Sequence, residues 1–336
     1  MLERSTYRIF DYCWHEPYQF ELVNSLQDDC QFDYCLTFRK HWDPTKRPVP
    51  HGLKFVPHYE HGLYDFAILH IDQRIYTDDQ LLKIYKELND HIDDIPKIVI
   101  NHGSPVFPEA FDHPNQSVPF TTMESKIAGF VRSIIGSNTM VVNSYTAASD
   151  SEWGFGRPII QGFDTADWYD HPKELRAFTA IPVEGLDAYY NRKCLKEAGE
   201  LLFYHYGILL YAANYNAPSF NSFNDYRNYL GSSLIYIDTS TRTPMNTART
   251  EALLSGCCVV QVEGAHDLEK WAKDGENIIL VPDDPQKIAA LIADLLGNRY
   301  EEALQIGQNG KKMATALFSR ESYRNDWLDL FKNLKS

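Results

Sequence analysis

The most concentrated chemistry in this sequence lies between Thr239 and Thr247 (TSTRTPMNT). Hydroxyls from Thr239, Ser240, Thr241, Thr243 and Thr247 surround the guanidinium of Arg242, with Pro244, Met245 and Asn246 completing the run. An apolar stretch that reads as a strand (SLIYID) precedes it, and a helical pattern starting at Thr247 follows. A loop between a strand and a helix N-terminus offers unpaired backbone N–H groups and the positive end of a helix dipole, which together suit a diphosphate. The same residues also read as an ordinary capped helix, with Asn246 or Thr247 as the cap and Arg249 on a solvated face. Glu251, one turn further on, is either a solvated charge or a carboxylate placed to accept both hydroxyls of a ribose. Arg192 and Lys193 open another helical segment, where they are either solvent-exposed or able to neutralise phosphate.

In the first half, His102 follows the apolar run KIVIN and precedes Gly103, so it should face a crevice rather than a core. His15, His70 and Asp72 occupy similar strand-end positions. Taken singly, each reads more readily as structural than as catalytic. Polar groups at the ends of three strands together point to a shared cleft.

The elements that must position these residues alternate between short apolar runs and helical-period segments, the pattern of α/β domains with parallel sheets. Strands are expected at Tyr7–Trp14, Phe66–Ile71, Lys97–Asn101 and Met140–Asn143, with helices at Gln19–Leu26 and Asp78–Asp90. Punctuation in Pro158–Pro172 marks a boundary, after which the alternation restarts. Strands are then expected at Ala177–Ile181, Gly207–Tyr211, Ser233–Asp238, Cys257–Val262 and Ile278–Val281. Helices fall at Tyr189–Phe203, Phe223–Leu230, Thr247–Leu254, Lys287–Leu296, Glu301–Leu317 and Arg320–Leu334. The simplest assembly is two doubly wound domains with a cleft between them.

With 336 residues, 44% of them hydrophobic, the chain can bury two cores. A formal charge of −14 disfavours stable binding to nucleic acid or to an anionic membrane. The six cysteines show neither a pairing pattern nor zinc spacing, so buried thiols and no metal site are expected. No signal-peptide core or run of about 18 apolar residues is present, which makes the cytosol the default compartment and gives the sequon at Asn115 no weight.

From the boundary onward the chain resembles the retaining glycosyltransferase family 4. Met140–Ser144 (MVVNS) followed by Ile159–Asp164 (IIQGFD) resembles that family's strand and "NG-V/I-D" linker. Glu251–Val260 (EALLSGCCVV) resembles its "EAMA-x-G-x-PVV" segment, and Leu268–Val281 resembles its "E-x-V-x-x-G-x-NG-x-LV" segment. The first 130 residues match in layout only, apart from His102 in an "H-x-x-P"-like loop.

The resemblance implies a GT-B fold, in which two Rossmann-like domains (1–165 and 166–318) face a central cleft and a C-terminal helix (319–336) crosses back to the first. It implies a sugar moved from a UDP- or GDP-linked donor to an acceptor hydroxyl, with retention and without a metal or other cofactor. Glu251 would bind the ribose, Arg192 and Lys193 the diphosphate, and the Thr239–Thr247 loop the phosphates and sugar, with His102 beside the transferred sugar and His15 and Asp72 on the acceptor side. The family's first glutamate is replaced here by Thr243, and its Gly-Gly turn by His15-Glu16-Pro17-Tyr18. A sugar-nucleotide epimerase and a non-catalytic nucleotide-sugar-binding scaffold are the alternatives. The acceptor is left open among lipid-linked glycan, soluble glycan, metabolite, protein and modified DNA.

Overall fold

The structure is a computed structural model that describes residues 7–36, 41–106, 120–181, 190–213 and 216–336, without the side chains of 120–123. The sequon at Asn115 and the start of the helix expected from Tyr189 lie outside the described residues. The chain divides into two compact units, residues 1–163 with Arg320–Ser336, and residues 164–319.

The first unit carries a seven-stranded sheet of β1 (Tyr7–Tyr12), β2 (Cys30–Cys35), β3 (Lys54–Val56), β4 (Phe66–Ile71), β5 (Lys97–Asn101), β6 (Thr139–Val142) and β7 (Arg157–Pro158). Every pairing is parallel, in the order β3-β2-β1-β4-β5-β6-β7. Helices α1 (Glu16–Leu26), α2 (Asp79–His91), α3 (Phe120–Ile135) and α4 (Tyr145–Ala148) connect the strands. Strand β4 (FAILHI) is buried along its whole length, as expected of a parallel strand covered on both faces. Strand β2 (CQFDYC) escapes a reading by apolar runs because it carries Asp33. That carboxylate has no exposure and is held by the Arg8 guanidinium of β1 at 2.9 and 2.5 Å. The strand order reverses between β1 and β4, so ligands are expected beyond the C-terminal ends of those two strands.

The second unit carries β8 (Glu174–Thr179), β9 (Leu210–Ala212), β10 (Ser233–Asp238), β11 (Cys258–Val262) and β12 (Ile279–Val281), again all parallel, in the order β12-β11-β10-β8-β9. Its helices are α5 (Arg192–Tyr206), α6 (Phe223–Ser232), α7 (Thr247–Leu254), α8 (Leu268–Trp271), α9 (Pro285–Leu296) and α10 (Tyr300–Leu317). The order reverses between β8 and β10, which puts the loop after β10 at this sheet's switch point. The six cysteines are buried free thiols, and burial pushes Cys257 up to about 11 and Cys258 to about 12.

The last helix, α11 (Arg320–Lys335), belongs to the first unit. Its Phe331 stacks on Phe66 at 4.8 Å and meets Tyr7 edge-on at 5.5 Å. Arg324 grips Asp29 through two bonds of 2.6 and 2.7 Å. Among the described residues no helix is long and apolar enough to cross a membrane.

At two glycines helix α10 comes close against backbone. A Cβ at Gly307 would come within 2.4 Å of the Gly256 carbonyl oxygen, and one at Gly310 within 2.7 Å of the Asn277 carbonyl oxygen. Gly129, on the exposed face of α3, has open space around it. Gly307→Ala should therefore destabilise the protein by about 1–3 kcal/mol through overpacking. Gly129→Ala should stabilise it by about 0.5–1 kcal/mol through helix propensity. Chemical denaturation of the two variants, which differ only in where one methyl is added, checks the pair.

Candidate active site

In the second unit the site grows from Asp238, the last residue of β10, which has no solvent exposure. Its Oδ1 accepts the Ser240 backbone N–H at 2.9 Å and also the Ser240 hydroxyl, while Oδ2 accepts the Asn246 amide at 2.9 Å. Asn246 in turn caps α7 by accepting the Ala248 N–H at 3.0 Å. One carboxylate therefore ties the start of the loop to the start of the helix. Thr243 is buried, with its hydroxyl 3.3 Å from that of Ser240, and its carbonyl accepts the His266 N–H at 3.1 Å. Arg242 sits in the left-handed region at φ 51° and donates its N–H to the Gly264 carbonyl at 3.0 Å. The N–H groups of Ser240 and Arg242, expected to be open to a ligand, are thus used inside the unit, and that of Ala248 is taken by the Asn246 cap.

Arg249 overturns the solvated-face expectation, because it has no exposure at all. It donates to Gln261 Oε1 at 2.9 Å, and Gln261 Nε2 passes the connection on to the Ser240 carbonyl at 3.0 Å. The Trp271 ring lies 5.3 Å from the guanidinium. Burial is the largest influence on both charges: it raises the Asp238 carboxyl and lowers the Arg249 guanidinium, while each favours the charge on the other. The clue in the sequence was spacing, since Arg249 stands four residues before Leu253 on the apolar stripe of α7.

Glu251 is 2% exposed, and its Oε2 accepts the Tyr226 hydroxyl at 2.8 Å. Met245 is buried and its sulfur accepts the Thr250 hydroxyl at 3.3 Å, next to the buried Pro244. Thr247 is the first residue of α7. Arg192 and Lys193 are the first two residues of α5, which follows Asn191 in the left-handed conformation.

In the first unit, three groups at the switch point form a line. His70 Nε2 lies 2.8 Å from Asp11 Oδ1, and His70 Nδ1 lies 2.9 Å from His102 Nε2. Asp11 has no exposure, His70 is 1% exposed, and His102 is half-buried. The Trp14 ring stacks on both imidazoles at 6.1 and 6.3 Å, and Tyr18 meets His102 edge-on at 5.1 Å. His15 caps α1 through Nδ1 and its ring lies 5.7 Å from that of His102. Asp72 stands apart from this line. It caps a short 3-10 turn by accepting the Arg74 N–H at 2.9 Å and is paired with the Arg74 guanidinium at 2.5 Å.

Sequence reasoning missed Asp11 and Gln19. The first left a trace as a charge inside an apolar strand (YRIFDYCW), whereas the second left none. Among the described residues, one grouping could bring three metal ligands together, namely exposed His61, Asp93 and Asp94. It precedes β4 and β5, at the opposite end of the sheet from His70 and His102.

Two doubly wound parallel sheets, each with polar groups gathered at its switch point, give the chain the two-Rossmann architecture called GT-B. The solved structures it is similar to are glycosyltransferases of that fold. HepE of Anabaena, solved with UDP and glucose, is 12% identical, with 98% of this chain and 100% of that one covered and a TM-score of 0.69. Sucrose-phosphate synthase of Thermosynechococcus elongatus is 13% identical, covers 98% and 99%, and has a TM-score of 0.66. A glycosyltransferase of Rickettsia africae is 10% identical, with 98% and 99% covered and a TM-score of 0.62. No family model and no curated protein matches the chain by sequence.

Removing Arg249 would leave Asp238 buried without its countercharge and Gln261 without its donor. Arg249→Met should cost about 1–3 kcal/mol, the range for leaving a buried hydrogen-bonding group unsatisfied. Urea denaturation of the variant is the check, and a loss below about 1 kcal/mol would show that the guanidinium does not hold the loop.

Proposed function

We propose that this chain is a glycosyltransferase that moves a sugar from a UDP- or GDP-linked donor to an acceptor hydroxyl, with retention, without a metal, and in the cytosol. The observation that carries this reading is a likeness of fold running the full length of both chains to HepE, a protein solved with UDP and glucose and with UDP-glucose. The loop after β10 lies where an open α/β sheet receives its ligand.

In this reading the second unit holds the donor. Glu251 accepts the ribose hydroxyls, exchanging its bond from Tyr226 for them. Arg192 and Lys193 at the start of α5 and Arg242 in the loop face the diphosphate, and Ser240 to Thr247 line the phosphates and sugar. As the bond to the sugar breaks, negative charge grows on the leaving diphosphate. Fixed cations and the N-terminal dipole of α7 stabilise that charge without reorganising, so no metal is called for. Thr243 replaces a carboxylate with a hydroxyl and so sets a different sugar contact from the family's glutamate. In the first unit His102 serves the sugar, with His15 and the Asp72–Arg74 pair on the acceptor side.

The test is a thermal-shift panel of UDP, GDP and their sugars, starting with UDP-glucose. A donor at about 100 times its Kd should add roughly 2.7 kcal/mol of stability. Glu251→Ala should weaken that donor by about 1.5–3 kcal/mol, the value of a hydrogen bond to a charged group. A panel without any shift would overturn the donor assignment, and a Glu251→Ala protein that binds as tightly as wild type would overturn the ribose contact. Donor converted in the absence of any acceptor would point to an epimerase instead.

A further inference from the structure

The grouping of His61, Asp93 and Asp94 lies at the other end of the first sheet from His70 and His102, and the proposed transfer makes no use of it. Its two sides come from different parts of the chain. His61 belongs to the loop between β3 and β4, and the two aspartates belong to the turn between α2 and β5. Cysteine spacing pointed to no metal site, and a ligand set divided between two segments leaves no local pattern in the sequence.

Both segments are held in place by their own contacts. Tyr59 is 4% exposed and packs against Phe10 and Tyr64 in the core. Its hydroxyl donates to Asp94 Oδ1 at 2.5 Å, while the Gly62 N–H donates to Oδ2 at 2.8 Å. These bonds, that from Tyr59 foremost, pull the Asp94 carboxyl down to about 2, so it is ionised at neutral pH. The Lys97 amine pins the turn by donating to the Asn89 and Ile92 carbonyls at 2.7 and 2.6 Å. The His61 ring meets those of Tyr59 and His91 edge-on at 5.2 and 5.3 Å.

The spacing of the donor atoms is that of ligands around one ion. His61 Nδ1 lies 3.3 Å from Asp94 Oδ1 and 3.7 Å from Asp93 Oδ1, and it forms a hydrogen bond with neither. Nitrogen and oxygen ligands about 2.0–2.2 Å from a tetrahedral zinc ion stand about 3.3–3.6 Å apart. All three atoms lie within 4.8 Å of one another, and the Asp93 side chain, 78% exposed, is free to rotate inward. The bonds from Tyr59 and Gly62 to Asp94 are of the kind that orient a ligating carboxylate. The negative end of the α2 dipole, at His91, also favours a cation beside the turn. An imidazole nitrogen with two carboxylate oxygens suits zinc and its neighbours in the first transition row, whereas magnesium and calcium take shells of oxygen alone.

We propose that His61, Asp93 and Asp94 bind one divalent metal ion of the zinc class, with water completing its shell, and that the ion fastens the loop before β4 to the turn before β5. The ion stabilises the first unit and takes no part in sugar transfer.

The experiment is calorimetric titration of the chelator-treated full chain with Zn2+, followed by its thermal melting with and without the ion. Wild-type protein should take up one Zn2+ and melt at a higher temperature with it. His61→Ala should weaken binding by more than about 100-fold, and Tyr59→Phe, which removes only the bond that orients Asp94, by about 10–100-fold. His205→Ala, an exposed histidine on α5, should bind as wild type does. Should His61→Ala fail to fold, Asp93→Asn makes the same measurement at an exposed side chain. Wild-type protein that takes up no Zn2+ overturns the site. Undiminished binding by His61→Ala or Asp93→Asn, or binding lost in His205→Ala, overturns it as well. Turnover enters none of these readings, so a donor panel without any shift would leave the metal site standing.

Discussion

Each unit depends on one aspartate that water does not reach, placed at or next to the end of a central strand. Asp238 closes β10 and Asp11 is the penultimate residue of β1. A carboxylate in that position must be satisfied by the chain that follows it, because an unpaired buried charge costs more than the fold can spare. Asp238 is answered by Ser240, Asn246 and Arg249, so the loop after β10 has a single way to lie. Asp11 is answered by Tyr12, Gln19 and His70, which fixes the start of α1 and the imidazole at the end of β4. Polar residues that look scattered along the chain are thereby gathered at the two switch points.

This constraint also explains why much of the fold was legible in the sequence and less of the site. The runs FAILHI, KIVIN and SLIYID each hold an unbroken apolar stretch with polar residues at or near the ends, and the structure makes each of them a strand over the span read from the sequence. Strand β2 was not legible because the residue that neutralises Asp33 lies on another strand, and no local pattern announces it. The same holds for the site. The polar character of Thr239–Asn246 is visible in the residues themselves, but that its N–H groups at Ser240 and Arg242 are already engaged depends on Asp238 and Gly264. His70 and His102 were visible as strand-end histidines. Their connection through Asp11 is a matter of tertiary placement, and Gln19, which orients it, looks like any helical glutamine.

Small residues carry as much of the arrangement as charged ones. Gly256 adopts φ 71° at the end of α7, where a Cβ would meet the Asp170 carboxylate at 2.7 Å. That carboxylate accepts from Gln308 and pairs with Lys173 and Lys311. The turn after the proposed ribose-binding helix is thus pinned to α10 by backbone packing and by this network. A helix so held gives Glu251 a fixed origin, and the precision of any contact it makes is inherited from glycines rather than from the carboxylate itself.

The return of α11 to the first unit has a consequence for how the molecule is made. The second unit is continuous in sequence, whereas the first is assembled from both ends of the chain. Tyr7 and Phe66 receive Phe331, and Asp29 receives Arg324, only once α11 has been synthesised. Because domains fold as units and N-terminal ones usually lead during synthesis, this topology inverts the order of completion. The later-synthesised unit can finish first, and the earlier one waits with an apolar edge uncovered. The nascent first unit is therefore the part of this protein whose aromatic surface stays uncovered until α11 arrives.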